Sequence, residues 1–435
     1  MIPHHHLFFN PNVKFNFTGG SLTSDAELLL IHEFMHQIKF PQLLNQHFHL
    51  DHDQAIRTHT NHDLCLQHIL QTIAGYHCAD DADELRAEPL VTQLLNKTSL
   101  ASQPTLSRFY HRLTKETSKQ LEHVNQQLLH RFYQVQTPES FIFDVDSTHF
   151  QTYGHQYGNG FNAHYQARGF HPLMVFDGMT GDCLKVELRA GNVYTSRNIV
   201  SFLGPLLSRY QKEFRSAYRI VRGDSGFAHK ELYELCETLD TKYLIRLKAN
   251  AQLYRLAKEV TDHLLDDGSL NYSQQFYGEF EYQAKSWNKP RRVIVQVRRK
   301  AGELIPEYLF LVTNMETRPD LVVSLYAKRG TMENYIKECK NGFRMDKVSH
   351  QNFMTNVNRI QLVVLAYNLI NGFRRLALPK DYRQMQIETL RTKFIKIAAK
   401  RVKQARRIIF KLCSHYPYKE VFNQCLRNIH TIQLE

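Results

Sequence analysis

The sequence predicts an α/β protein built around a mixed sheet. Residues 172–192, PLMVFDGMTGDCLKVELRAGN, have two β-rich runs around an Asp-Gly and Gly-Asp turn region, which is typical of a hairpin. Residues 217–227, AYRIVRGDSGF, indicate a strand, and a helical stretch leads from there into YLIRLK at 243–248. Hairpin strands followed by strand–helix–strand units favour a mixed sheet, and 435 residues allow two to four domains.

The region before this sheet reads as helical. SDAELLLIHEFMHQI has helical periodicity after a cap at Ser24 or Asp25. QPTLSRFYHRLTKETSKQLEHVNQQLLHRFY then begins with Pro104 and predicts several helical turns. Its first turns carry hydroxyls and Arg108, which suit a DNA phosphate, although for each single residue we favour a plain capped helix.

Three further segments follow the predicted sheet. FYGEFEYQAKSW, RRVIVQVRRK and YLFLVTN predict consecutive strands, which we interpret as a β-rich insertion. An apolar helix is expected at 354–376. Residues 391–411 contain nine Lys or Arg and no Asp or Glu, and they predict an amphipathic basic helix that binds the DNA backbone. An acidic membrane surface or a solvated helix packed on the core would also fit that pattern.

The composition points to an anionic partner. The net charge is +13 and the pI is about 9.3, so we expect binding to a polyanion, most simply nucleic acid. The seven cysteines are scattered without a CxxC pair, which favours reduced thiols and a cytoplasmic location. The N-terminal residues do not resemble a signal peptide, and the apolar stretch at 360–370 is too short for a membrane span, so we expect no membrane partner.

Three acidic residues stand where catalytic carboxylates are expected. Asp146 ends the first predicted sheet strand, Asp224 ends a later strand, and Glu333 lies on a predicted helix. Carboxylates in such positions build Mg²⁺ sites, and two Mg²⁺ ions can stabilise both oxygens of an in-line displacement. Asp144 points to the same face as Asp146, so either could be the first ligand, and we prefer Asp146 at the strand tip.

The helix predicted at 326–340, YAKRGTMENYIKECK, has a polar face. Offsets of 0, 3, 7 and 14 place Tyr326, Arg329, Glu333 and Lys340 within an arc of about 60°. A solvated helix with pairs such as Arg329–Glu333 would explain this face without any function. Alternatively, the face presents one metal ligand together with three groups that can hold a DNA phosphate.

These motifs resemble those of a known family. FDVDSTHFQTYGHQYG, FNAHY, PLMVFD, LRAGN, RGDSGF and the Tyr-Arg-Glu-Lys spacing together resemble the DDE transposases of bacterial insertion sequences. The nearest branch is the insertion-sequence thirteen-eighty family. The resemblance covers nearly the whole chain, because LTSDAELLL, LASQPTLSRF, the AYNLI helix and the basic C-terminal run also match.

The resemblance implies a ribonuclease-H-like core and a catalytic triad of Asp146, Asp224 and Glu333. It also implies two Mg²⁺ ions, which Mn²⁺ can replace, and Tyr326, Arg329 and Lys340 as partners of the catalytic Glu. Related transposases carry a β-rich insertion before the Glu helix, and some of them use an aromatic residue there to receive a flipped base. Trp287, the only tryptophan, is the candidate for that role, and packing against the core is the alternative.

We therefore expect a transposase that binds the terminal inverted repeats of its element, cleaves double-stranded DNA with Mg²⁺ and performs strand transfer as a DNA-bound homodimer. A nuclease without strand transfer and a catalytically silent DNA-binding protein are the alternatives. The DNA contacts expected from the basic run are Arg401, Lys403, Arg406 and Arg407. The expected regions are a helical DNA-binding part (1–137), the core (138–250 and 318–376), the β-rich insertion (251–317) and a basic helical part (377–435).

One motif suggests different chemistry. His32, Glu33 and His36 match the H-E-x-x-H pattern of zinc proteases, in which two histidines one helical turn apart bind Zn²⁺. A third ligand could come from HFHLDHD at 47–53. With 24 histidines in the chain a chance match is expected, so we do not favour this interpretation.

Overall fold

The computed structural model describes residues 5–7, 9–50, 58–261 and 272–434. The chain divides into two compact units. The first comprises the described residues of 1–135, 341–345 and 358–435, and the second those of 136–340 and 346–357.

Helices and strands are numbered in chain order. The helices are α1 Leu28–Gln37, α2 Phe40–His47, α3 Asn61–Ala74, α4 Asp81–Glu84, α5 Pro89–Leu94, α6 Gln103–His111, α7 Lys115–Val135, α8 Ile199–Glu213, α9 Lys230–Thr238, α10 Ala251–Thr261, α11 Pro319–Ala327, α12 Gly330–Asn341, α13 Phe353–Leu376, α14 Ile387–Leu390 and α15 Lys419–His430. The strands are β1 His5–Leu7, β2 Asn10–Phe15, β3 Leu22–Thr23, β4 Ser140–Ser147, β5 Phe150–Gln151, β6 Gly160–Asn162, β7 Ala167–Phe170, β8 Leu173–Asp177, β9 Cys183–Glu187, β10 Tyr218–Gly223, β11 Lys242–Leu247, β12 Gln274–Tyr282, β13 Arg291–Arg299, β14 Glu307–Thr313, β15 Ala399–Gln404 and β16 Arg407–Leu412.

The second unit is built on a mixed sheet with the strand order β12-β13-β14-β11-β10-β4-β8-β9. The β4–β10 and β10–β11 pairs are parallel, and the other neighbours are antiparallel. The predicted α/β class, the β8–β9 hairpin and the β10–α9–β11 unit are thereby confirmed. The three strands interpreted as an insertion continue this same sheet, because β14 pairs with β11.

Apolar side chains cover both faces of this sheet. Ile142, Ile220 and Leu244 from neighbouring strands form one buried cluster with Val322 and Val323 of α11. On the adjacent positions of β4, Phe141 and Phe143 pack their rings against Tyr210 of α8. The long apolar runs of the central strands follow from this burial on two sides, since neither face of these strands meets water.

The first unit is mainly helical, as expected for its N-terminal part. The α7 and α13 helices pack closely, because a Cβ atom at Gly372 would lie 2.3 Å from the Phe132 ring. Asn368 donates a hydrogen bond to Asn125 Oδ1 at 2.7 Å in the same interface. Helix α13 covers the predicted apolar segment, and among the described helices none is long and apolar enough to cross a membrane.

Two helix boundaries differ from the expectation. Helix α1 begins at Leu28, and its N-cap residue is Glu27 rather than Ser24 or Asp25. The long segment after Pro104 forms two helices, α6 and α7, with a break at residues 112–114. The Thr117 hydroxyl donates a hydrogen bond to the carbonyl of Thr114 there and accepts one from the Thr114 N–H. These side-chain hydrogen bonds take the place of the backbone hydrogen bonds of a continuous helix.

The basic helix predicted at 391–411 is wrong. Residues Arg391–Ile395 form one π-helical turn, and an antiparallel β15–β16 hairpin follows, with β15 also pairing with β3. One face of the hairpin carries Ala399, Phe410 and Leu412, which join Ala26 in a buried cluster. Apolar residues at alternating positions therefore determine the conformation here. Their two-residue repeat is the repeat of a β-strand, and it outweighs the helical pattern on which the prediction was based.

A buried acid lies at the start of α1. The Glu27 side chain is 0% exposed, and among the described residues neither of its carboxylate oxygens has a hydrogen-bond partner. Burial raises the pKa of Glu27 well above its ordinary value. The folded protein therefore retains a proton that the unfolded chain releases above about pH 4.3, so the free energy of unfolding falls as the pH rises past that value.

We expect Glu27→Gln to raise the unfolding temperature at pH 7–8 by about 2–4 °C, the effect of roughly 1 kcal/mol, because the variant need not hold this proton. At pH 3, well below the pKa of about 4.3 in the unfolded chain, both folded and unfolded wild-type chains are protonated at this site, so the gain disappears. Calorimetry at both pH values measures the difference, with the exposed Glu420→Gln as control. An equal gain at both pH values would contradict this explanation.

Candidate active site

Two parallel strands bring two of the predicted acids to one edge of the sheet. In the β4–β10 pair, Asp144 lies opposite Arg222 and Val145 lies opposite Gly223. Asp146 and Asp224 are the next residues of the two chain segments. Because parallel strands run in the same direction, both carboxylates lie beyond the same ends of adjacent strands.

A buried ion pair lies one step below these acids. Arg222 Nε and Nη2 donate to the two oxygens of Asp144 at 2.5 and 2.6 Å, and both side chains are 0% exposed. Burial raises the pKa of Asp144, while the bidentate guanidinium opposes that shift. A Cβ atom at Gly178 would lie 2.6 Å from Asp144 Oδ2, so this residue must be glycine. Asp144 is thus fully engaged, whereas the Asp146 side chain is 18% exposed.

Arg222 also reaches the segment that carries the third predicted acid. Its Nη1 donates to the carbonyl of Leu325 in the last turn of α11. The buried guanidinium therefore links β4, β10 and the end of α11 through charge-assisted bonds. This positioning role was not predicted, although Arg222 stands inside the quoted RGDSGF motif. An arginine two residues before Asp224, at the end of an apolar strand, was the available signal in the sequence.

Arg329 lies between Asp146 and Asp224. Its Nη2 is 2.8 Å from Asp146 Oδ2 and 3.9 Å from Asp224 Oδ2. The other oxygen of each carboxylate accepts a backbone N–H at 2.8 Å, from Ser147 and from Gly226 respectively. One oxygen of each carboxylate is therefore held by a nearby backbone N–H group, and the other oxygen faces the guanidinium of Arg329.

The electrostatics of this acid pair call for a cation. Burial raises the pKa of Asp146 to about 6; the neighbouring Asp224 adds to the shift, and Arg329 opposes it. The position of the Arg329 guanidinium shows that one positive charge reaches both carboxylates. Carboxylate oxygens are the ligands that Mg²⁺ prefers in proteins, and Asp146 and Asp224 are the residues that could hold such an ion here.

The predicted continuous helix at 326–340 is wrong. Helix α11 ends at Ala327 and α12 begins at Gly330, so Arg329 lies in the turn between them. Tyr326 is half-buried and packs against the cluster under α11. Lys340 donates to the carbonyl of His149 at 3.0 Å. The four side chains thus belong to two helices and a turn rather than to one helical face.

Glu333 is not assembled with the other two acids. It occupies the exposed first turn of α12. Within the described ranges, no group of three or more His, Cys, Asp or Glu side chains is arranged to hold a metal ion. The expected convergence of three carboxylates is therefore met by two of them, and Arg329 neutralises that pair.

A comparison with known families assigns the chain. The family model described as transposase DDE domain, group 1, matches residues 5–434. The chain belongs to this DDE transposase family. The comparison with curated proteins gives no match. Among solved structures, the cryo-EM structure of the piggyBac transposase synaptic complex with hairpin DNA is 12% identical, with a TM-score of 0.39, and covers 86% of this chain and 80% of that one.

In this DDE transposase Trp287 is a packing residue. It is 8% exposed, and its ring meets those of Tyr233 and Tyr282 edge-on at 5.4 Å. The Arg291 guanidinium lies over the indole, 5.5 Å from its centroid. The alternative that the sequence left open, packing against the core, describes this arrangement, and a DNA base could stack here only after the indole left its site.

The four basic residues predicted as DNA contacts lie on the β15–β16 hairpin. Lys403, Arg406 and Arg407 are exposed around its tip, and Arg401 is half-buried and donates to Gln93 Oε1 at 3.3 Å. The structure brings them together on a β-ribbon of the first unit. Their clustering agrees with the sequence, and only their secondary structure differs.

The zinc-protease pattern forms no metal site in the described residues. His32, Glu33 and His36 do lie on one helix, α1, but Glu33 contacts the ring of His430 at 3.1 Å. Part of the expected third-ligand stretch, residues 51–53, lies outside the described residues.

Removing one partner of the buried Arg222–Asp144 pair should strongly destabilise the folded transposase. We expect Arg222→Met to lower the free energy of unfolding by about 3–5 kcal/mol, because Asp144 keeps a buried charge without its partner. Denaturant titration measures this loss. Arg318→Met, which breaks the exposed Arg318–Asp320 pair, should cost less than about 1 kcal/mol. The double variant Arg222→Met with Asp144→Leu should recover part of the stability, and equal losses in the single and double variants would contradict the explanation.

Proposed function

We propose that this protein is a metal-dependent DNA transposase of the insertion-sequence thirteen-eighty type. It binds the terminal inverted repeats of its element, cleaves at their ends and joins the freed 3′ ends to target DNA. One observation carries the proposal: in a member of the DDE family, two carboxylates at the ends of adjacent parallel strands share one cation. The supporting distances are those from Arg329 Nη2 to Asp146 and Asp224, 2.8 and 3.9 Å.

The proposed catalytic core is ribonuclease-H-like. The strand order β9-β8-β4-β10-β11, with three antiparallel strands followed by two parallel ones, supports this assignment. Helices pack on both faces of that sheet, and the acids lie at the carboxyl ends of β4 and β10. We also propose the five-region organisation expected from the sequence, with the basic C-terminal part as a β-hairpin in place of a helix.

Asp146 and Asp224 are the proposed ligands of two Mg²⁺ or Mn²⁺ ions, and Glu333 is the proposed third ligand. Such ions, when bound, activate the attacking water or 3′-OH and stabilise the leaving oxygen. Glu333 follows Arg329 by four residues, and Arg329 already contacts both acids, so a movement of the α12 N-terminus brings the third carboxylate to the pair. The chain's own task is to hold the phosphodiester in line for attack.

Arg329, Tyr326 and Lys340 are the proposed phosphate contacts at the active site. The Arg329 guanidinium can hold two phosphate oxygens in a fork. In the arrangement described above it neutralises the acid pair, and Lys340 holds the carbonyl of His149. To contact DNA, the side chains of Arg329 and Lys340 must each exchange a protein oxygen for a phosphate oxygen. This exchange costs little free energy, because one charge-assisted hydrogen bond replaces another.

The β15–β16 hairpin is the proposed element that binds duplex DNA. Lys400 lies directly opposite Lys411 across the hairpin, and both side chains are exposed. Like charges in such pairs repel each other, so the two lysines destabilise the hairpin locally. An anion bound between the two ammonium groups would remove this repulsion. A two-stranded ribbon fits the major groove of B-DNA, and Arg401, Lys403, Arg406 and Arg407 supply further phosphate contacts. We propose double-stranded DNA as the partner and a homodimer when two ends are paired.

Substitution of any of the three acids should abolish catalysis and spare DNA binding. We expect Asp146→Asn, Asp224→Asn and Glu333→Gln each to lower Mg²⁺-dependent cleavage of end-containing DNA by at least about 10³-fold, since each removes a ligand charge. Gel assays of cleavage and strand transfer measure this, with Asp320→Asn as the exposed control. Cleavage without joining by the wild type would favour the plain nuclease, and binding without cleavage would favour the silent binder.

The hairpin should contribute the salt-sensitive part of DNA affinity. We expect Arg406→Ser and Lys411→Ser each to weaken duplex binding and to reduce the slope of log K against log salt by about 1, the value for one lost phosphate contact. Fluorescence anisotropy over a salt series measures the slope. The matched control is Lys119→Ser, which replaces an exposed lysine of α7. Identical slopes for all variants would show that the hairpin does not contact DNA phosphates.

A further inference from the structure

A buried arginine holds the loop formed by residues 193–198, between β9 and α8. Arg189 lies two residues beyond the end of β9 and is 5% exposed. Its Nη1 donates to the carbonyls of Thr195 and Arg197 at 3.0 and 3.2 Å. Its Nε donates to the carbonyl of His171 at 3.0 Å. One guanidinium therefore fixes the backbone of the loop against the segment that precedes β8.

The Arg189 guanidinium is buried without a carboxylate beside it. Among the described residues its hydrogen bonds all go to backbone carbonyls, and its Nη2 has no partner. Burial lowers the pKa of Arg189 to about 10, so the group stays charged near pH 7. Burying a charge without a counter-ion costs free energy. What this burial secures is the conformation of the loop, which ends at Asn198 in a left-handed backbone conformation with a φ of 62°.

Thr195 of this loop contacts the segments that follow both acids. Ser147 Oγ donates to Thr195 Oγ1 at 3.3 Å. A Cβ atom at Gly226 would lie 3.2 Å from Thr195 Cγ2, so the methyl group packs against the backbone of Gly226. The hydroxyl of Thr195 therefore meets the segment after Asp146, and its methyl group meets the segment after Asp224.

These contacts connect the two carboxylates to each other. The Ser147 N–H donates to Asp146 Oδ1, and the Gly226 N–H donates to Asp224 Oδ1, both at 2.8 Å. Thr195 lies between Ser147 and Gly226. A path of direct contacts therefore runs from one carboxylate through the Thr195 side chain to the other.

The acid pair needs such a connection when its cation is exchanged. Arg329 lies between Asp146 and Asp224, and the proposed function moves this guanidinium onto a DNA phosphate. Without a cation between them the two carboxylates repel each other. Mg²⁺ demands near-ideal octahedral geometry from its oxygen ligands, so the spacing of the carboxylates must be kept during the exchange. Because Thr195 acts through two backbone segments, it can stay in place while the cation changes.

We propose that Thr195 is a positioning residue, which Arg189 holds in place and which sets the spacing of the two acids for the divalent ion. The inference rests on the proposed function and deepens it, because it assigns the geometry of the metal site to a loop outside the acidic triad. Thr195 acts through the backbone segments after the two acids rather than on the ion or the DNA. Its effect is therefore on metal affinity and not on the chemical step.

The test titrates the full-length protein with Mn²⁺ alone and follows the electron paramagnetic resonance signal of free Mn²⁺. We expect Thr195→Val to raise the dissociation constant about ten-fold, as the loss of an outer partner of a metal ligand does. Thr195→Ser keeps the hydroxyl and should stay within about three-fold of the wild type. Arg189→Lys keeps the charge but lacks the planar fork, so it should weaken Mn²⁺ binding as Thr195→Val does.

Cleavage of end-containing DNA separates positioning from a general loss of structure. In Thr195→Val the Mg²⁺ concentration for half-maximal cleavage should rise about ten-fold, while the rate at saturating Mg²⁺ should stay within about two-fold of the wild type. The matched control is Thr238→Val, which removes a hydroxyl that donates to the carbonyl of Glu234 within α9. This control should leave the Mn²⁺ affinity unchanged.

Wild-type Mn²⁺ affinity in Thr195→Val would overturn the inference and leave the proposed function intact. A lower unfolding temperature of this variant without a change in Mn²⁺ affinity would give Thr195 a purely structural role and would also overturn it. The background for every titration is the double variant Asp146→Asn with Asp224→Asn. A wild-type protein that binds no more Mn²⁺ than this double variant would overturn the proposed function and the inference together.

Discussion

The parallel pairing of β4 with β10 is the constraint on which the active site depends. The two strands are separated by a hairpin, a small sheet and a helix, yet Val145 lies opposite Gly223. A shift of one residue in this register would turn one acid to the other face of the sheet. Correct register thus places Asp146 and Asp224 side by side, and the apolar residues on both faces maintain that register by their burial.

Charges on this edge of the sheet are arranged in two levels. The lower level is the Arg222–Asp144 pair, which is fully buried and hydrogen-bonded through all three guanidinium nitrogens. The upper level is Asp146 and Asp224 with Arg329 between them, and it is partly open to solvent. Each level offsets the cost of burying carboxylates by pairing them with a guanidinium. The buried pair holds the strand ends in place. The upper acids are paired with Arg329, a cation that we propose exchanges these carboxylates for a DNA phosphate.

Much of the central sheet could be predicted from the sequence, because turn residues and apolar runs mark β8, β9, β10 and β11 directly. The grouping of Asp146 with Asp224 was also accessible, since both follow strands. The break before Gly330 was not predicted, because helical spacing alone cannot distinguish one helix from two that join at a turn. The β15–β16 hairpin was missed because its basic residues dominated the pattern, whereas its alternating apolar residues determine the conformation.

Other features of the site depend on contacts that no local pattern reveals. Arg222 lies in a quoted motif, but its partners Asp144 and Leu325 are far away in the sequence. Trp287 is the only tryptophan of the sequence, but its burial between Tyr233 and Tyr282 depends on contacts between separate segments of the chain. The positions of the acids along the sequence identified the candidate site, and tertiary packing decides which side chains contact one another there.

The side chains of Asp146 and Asp224 form a cation site in which the Arg329 guanidinium lies. Anomalous scattering from crystals of the DNA-bound protein grown with Mn²⁺ would show whether a divalent ion takes the place of this guanidinium. We expect an anomalous peak within coordination distance of both carboxylates, with the Arg329 guanidinium moved onto a DNA phosphate. A peak elsewhere, or an Arg329 side chain that still bridges the two acids in the presence of Mn²⁺, would contradict it.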